Sequence, residues 1–184
     1  MILPSCQTRG DSSILQTASV LSGEEAAALY KEYLETEENE KVRWNYLYSL
    51  FEAEDFESCL EETEIAIGLY PSNIRFLYLK ALVLEEKGEK EREIEVLEKV
   101  REMNPGEVFV LERLLSLYSD VDSEKAKETA KSLIAYDNKN YLAVEYLSKD
   151  SEFYSILLKT LKPKEEVKAE EDSLEKAEEE STEN

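Results

Sequence analysis

The chain has 184 residues, 42% of them hydrophobic, and a formal net charge of -21 with 43 acidic against 22 basic side chains. That length and apolar content suffice for one core, while so negative a balance excludes the phosphate-neutralising chemistry of nucleic-acid binding and polybasic attachment to anionic membranes. Histidine is absent, which removes the commonest general base, the histidine-containing triads and the usual transition-metal sites. No cofactor-binding glycine loop occurs, the glutamates fall mostly on polar helix faces, and the sequence is read as non-enzymatic, with no cofactor and no metal. The two cysteines, Cys6 and Cys59, have no zinc or CxxC spacing. No apolar run reaches the length of a transmembrane helix. With five glycines and four prolines, the composition suits long helices and not a turn-rich β protein.

In chain order, residues 1–21 read as a leader or tether. "MILPSC" followed by the polar "QTRGDSS" resembles the cleavage region of bacterial lipoproteins, which implies lipidation at Cys6 and a periplasmic location if the true start lies upstream of Met1; otherwise the location is cytoplasmic. Ser22-Gly-Glu-Glu25 has the pattern of a capping box and opens the helix "EEAAALYKEYLE", which reads as the second helix of a repeat whose first helix is degenerate or absent. Helices are then expected near 40–53, 74–87 and 107–119, each followed by a short polar turn around Glu54-Asp55, Gly88 and Asp122 and by a second helix. Pro71 and Pro105 close two of these units 34 residues apart, and Asn138 closes a third after 33. The runs "NYLAVEYL" and "EFYSILLKTL" form a shortened pair that caps the repeats, because terminal repeats turn one face to water. After Pro163 come ten acidic and three basic residues without an aromatic group, a composition that leaves 163–184 disordered.

A helix pair every 34 residues, small residues at Cys59, Ala66, Ala81, Ala126 and Ala130, and a proline after the second helix resemble the tetratricopeptide repeat (TPR) family over residues 22–162. The resemblance implies an all-α, right-handed superhelical stack of antiparallel helix pairs, a TPR-like α-solenoid. Glu93 stands where the family prefers alanine, and looser packing is expected there.

The resemblance also implies a function: binding of a protein or peptide in a groove lined by the first helix of each pair. Counting back from Pro71, Pro105 and Asn138 by the family period, the groove positions are Lys41, Trp44, Tyr48 and Phe51, then Arg75, Tyr78 and Leu82, then Leu111, Leu115 and Tyr118. Lys41 and Arg75 are rare cations that could orient an anionic group. A turn one residue shorter before Phe56 would instead make Trp44, Leu47 and Phe51 core residues, and the sequence leaves that choice open. Two further readings stand beside the adaptor. Self-association could fill the groove with a second chain or with the apolar segment Ser13–Leu21, and a lipid-tethered periplasmic accessory subunit would follow from Cys6.

Overall fold

The structure, a computed structural model, describes residues 7–149, with side chains from residue 13 onward. All regular elements among these residues are helices: α1 (Gln7–Ala18), α2 (Gly23–Leu34), α3 (Glu40–Glu52), α4 (Phe56–Leu69), α5 (Ile74–Glu86), α6 (Lys90–Met103), α7 (Val108–Val121), α8 (Ser123–Tyr136) and α9 (Tyr141–Ser148). None of them is long and apolar enough to cross a membrane. The chain parts into two compact units between Met103 and Asn104. In the first, each helix from α1 to α6 packs on the next, and α3 also lies beside α5; in the second, α7 packs on α8 and α8 on α9.

Asx residues start the helices at repeating intervals. Asn39 and Asn73, 34 residues apart, each accept a hydrogen bond from the first-turn amides of α3 and α5, at 3.1 Å from Lys41 N and 3.0 Å from Arg75 N. Asp55, Asp122 and Asn140 do the same for α4, α8 and α9. Such caps satisfy amides that have no partner within the helix.

The structure refines the expectations for the segment before Ser22, for the capping box and for Glu93. The segment before Ser22 carries helix α1, and its Ala18 is buried; Ile14, Leu15 and Ala18 supply a short apolar edge, while the polar run before them hides the helical period. The apolar stretch Ser13–Leu21 is the end of α1 and the turn after it, and α1 packs on α2. Ser22 does occupy the N-cap of α2, but its side chain makes no capping hydrogen bond. Glu93 is 1% exposed on α6, so the position is enclosed by its neighbours. Cys6, the second helix of the capping pair and the acidic segment from Pro163 lie outside the described residues.

The turns decide the register of the whole repeat. After α3, Asp55 N donates to Leu50 O at 3.0 Å with Glu54 at φ 58°; after α5, Glu89 N donates to Leu84 O at 2.9 Å with Gly88 at φ 70°. The two turns are the same turn, 34 residues apart, so the turn before Phe56 is not shortened. Burial along α3 and α5 repeats at the same offset: Val42 with Phe76, Leu47 with Ala81 and Leu50 with Leu84 are buried, while Tyr48 and Leu82 are exposed. The pattern continues another 34 residues into α7, where Val110, Leu115 and Tyr118 are buried and Ser116 is exposed.

Candidate functional site

On α3 the side chains of Trp44, Tyr48 and Phe51 recur at helical spacing and make a run of rings. Trp44 and Tyr48 stack with centroids 6.4 Å apart, and Tyr48 and Phe51 follow at 6.5 Å. Tyr48 is 46% exposed, and Trp44 and Phe51 are half-buried. Beneath them Leu47 is fully buried. The helix is apolar on nearly every side, so two neighbouring residues of similar hydrophobicity meet opposite fates according to the direction of their Cβ atoms.

Helix α5 supplies the other half of this surface. The guanidinium of Arg75 lies over the indole of Trp44, 4.1 Å from the ring centroid, a cation–π contact in which the ring's negative face meets the delocalised charge. The buried Phe76 touches the same indole at 6.1 Å and the Tyr70 ring at 5.8 Å. Tyr78 is half-buried and Leu82 exposed along α5, one and two turns beyond Arg75. A concavity of about 470 Å³ opens at the start of α3 and α5, lined by Asn39, Glu40, Lys41, Trp44, Asn73 and Arg75. Lys41 is exposed at its edge. The structure therefore brings Lys41, Trp44, Tyr48, Phe51, Arg75, Tyr78 and Leu82 onto two adjoining helices of the first unit.

An ion-pair network holds the N-terminal end of α3 in place. Arg43, largely buried, bonds Glu38 through Nε at 3.2 Å and through Nη2, and reaches Glu62 of α4 through Nη1 at 2.8 Å. The Tyr70 hydroxyl donates to Glu38 at 3.1 Å, and Asn73 Nδ2 donates to Glu40. The turn from Tyr70 to Asn73 is thus tied to the start of α3, which sets Arg75 over Trp44. Hydrogen bonding from Arg43 holds the Glu38 carboxyl below the usual carboxylate range, against the opposing effect of burial. Cys59 is buried within α4, its thiol donating to Leu47 O at 3.4 Å, and burial pushes its pKa up to about 11, which makes it a packing residue without nucleophilic character.

The expected third set is corrected. Leu111, Leu115 and Tyr118 are all buried in α7 and belong to its packing. Two 34-residue periods on, the equivalents of Lys41, Trp44 and Tyr48 are Phe109, Glu112 and Ser116, of which Phe109 and Ser116 are exposed and Glu112 half-buried. The missing residue of this repeat lies in the turn after α7, where Asp122 closes one helix and caps the next. Counting back from Asn138 crosses that deletion and shifts the register by one position. Asn39, Glu40 and Asn73, which line the concavity, were not among the expected residues; their signal was an Asx residue ahead of two apolar helices at the repeat spacing.

No known family profile matches the chain. A TPR repeat-containing protein of Methanocaldococcus jannaschii is 36% identical over 67 residues, 36% of this chain, and the chain spans 12% of that protein's length. Among solved structures, MamA (residues 41 to the end) of Desulfovibrio magneticus is similar with a TM-score of 0.62 and 19% identity, over 85% of this chain and 96% of that one. PilF of Pseudomonas aeruginosa follows with a TM-score of 0.56 and 22% identity, over 79% and 73% of the two chains. YrrB, a TPR protein with an unusual peptide-binding site, has a TM-score of 0.55 and 20% identity over 66% of this chain and 63% of its own. With helix pairs that recur, cap and bury at one 34-residue period, and with this likeness to solved structures, the chain has a tetratricopeptide-repeat-like helical fold.

Proposed function

We propose that the chain is a non-enzymatic adaptor that binds a protein or peptide on the α3–α5 face of its first unit. The observation that carries this reading is the run of rings Trp44, Tyr48 and Phe51, with Tyr48 exposed and the other two half-buried, continued by Tyr78 and Leu82 and bordered by Lys41 and Arg75. Apolar side chains of a partner would lie on the Tyr48 and Leu82 surface, where aromatic rings offer large area at small loss of side-chain entropy. An anionic group of the partner would be oriented by Lys41 and Arg75 at the concavity. YrrB offers a precedent for peptide binding by a protein of this fold.

The test uses the immobilised protein to capture a partner from native extract, followed by identification of that partner and titration. Trp44 is the only tryptophan, so its emission reports occupation of this face. The double variant Tyr48→Ala, Arg75→Ala is expected to lose capture while keeping the helical circular dichroism of the parent. Capture that survives the double variant would place the partner elsewhere.

A further inference from the structure

Helix α4 buries one edge, Cys59, Leu60, Thr63 and Ala66, and leaves another bare. On that bare edge Ile65 and Leu69 are 50% and 49% exposed. They stand four residues apart, so their side chains lie one above the other. Gly68 sits between them, and a Cβ built there would meet nothing within 4 Å. Its backbone is outside the left-handed region, and no neighbour among the described residues needs the space. Glycine within a helix nevertheless costs about 0.5–1 kcal/mol relative to alanine. Bare helix backbone between two exposed apolar side chains suits the close approach of another helix.

The patch continues across a shallow cleft, where Ile65 faces Lys31, Leu34 and Glu35 at the end of α2 and Tyr46 of α3. Its surroundings are acidic. Glu61, one turn before Ile65, and Glu35 across the cleft are exposed; Lys31 and Arg43 also line the cleft with Glu62, and Arg43 is already bonded to both Glu38 and Glu62. A second copy of this chain, at a net charge of -21, would meet like charge here, and so would the chain's own segment after Pro163 with its ten acidic residues. Charge complementarity therefore selects a basic occupant.

We propose that the outer edge of α4, with the adjoining edge of α2, docks an amphipathic helix whose apolar stripe is flanked by lysine or arginine. This surface uses none of the residues of the Trp44 face and stands or falls independently of it.

The experiment titrates the isotope-labelled full chain with a synthetic helix of about five turns, bearing leucine at i, i+3, i+4 and i+7 and lysine elsewhere. The controls are a scrambled peptide of identical composition and a peptide with glutamate in place of lysine. Amide shifts are expected to centre on Ile65 to Leu69 and on Leu34 and Glu35. Ile65→Ser with Leu69→Ser should weaken binding about tenfold or more, and Tyr48→Ala should leave it unchanged. Gly68→Gln, which adds bulk into open space, is the second variant and should weaken binding without loss of any internal contact. Three results would overturn the proposal: equal binding of the scrambled peptide, shifts centred on Tyr48, or undiminished binding by both the serine and the glutamine variants. A concentration-dependent dimer that Ile65→Ser with Leu69→Ser abolishes would assign the surface to a second copy and overturn it as well.

Discussion

Leu47 and Tyr48 are consecutive residues of one helix, and their surroundings separate them completely. Leu47 is 0% exposed and Tyr48 46%. Leu47→Ala is expected to cost about 2–5 kcal/mol, since the transfer energy is lost and a cavity remains. Tyr48→Ala should cost about 1 kcal/mol, the order of its ring contacts with Trp44 and Phe51. Urea unfolding of both variants measures the difference; equal costs would show that Tyr48 is a packing residue. Glu38 allows a second comparison at this scale. Its carboxyl is held below its ordinary value by Arg43, so the ionised form stabilises the fold. That contribution is present above the unfolded pKa, about 4.3, and is lost as the pH falls through the lower folded value. Glu38→Gln should therefore be less stable than the parent at pH 7, with the gap closing below about pH 4. Thermal unfolding across that range measures it, and a gap independent of pH would show that the pair contributes no linked stability.

At the scale of the element, the turns carry more information than the helices. Glu54 holds a left-handed conformation at φ 58°, where the equivalent position of the next repeat holds Gly88 at φ 70°. A side chain in that region costs roughly 1 kcal/mol relative to glycine. Glu54→Gly should accordingly stabilise the first unit by up to about 1 kcal/mol, read as a rise in the urea midpoint. A fall would mean that the Glu54 side chain makes a compensating contact. The helix positions themselves were legible: the expected spans near 40–53 and 74–87 agree with Glu40–Glu52 and Ile74–Glu86 to within a residue, because proline and Asx stops bracket a clear apolar period. Helix α1 was not legible, since the polar residues of its first half show no such period and only packing of Ala18 reveals its inner edge.

Across the whole chain, the sequence by itself determined the all-helical class, the 34-residue period and the acidic surface, because proline spacing, apolar periodicity and charge are properties of the chain read in order. It also marked the Lys41–Phe51 and Arg75–Leu82 stripes, where counting crosses no deletion. Only the tertiary structure decided the register of α7. A single residue missing from a turn rotates every position counted across it by about 100°, and burial of Leu111, Leu115 and Tyr118 is what reveals the shift. The same holds for Trp44. Its half-buried indole, with Arg75 above and Phe76 alongside, follows from how α5 packs beside α3, a relation between residues some thirty positions apart that no local pattern encodes.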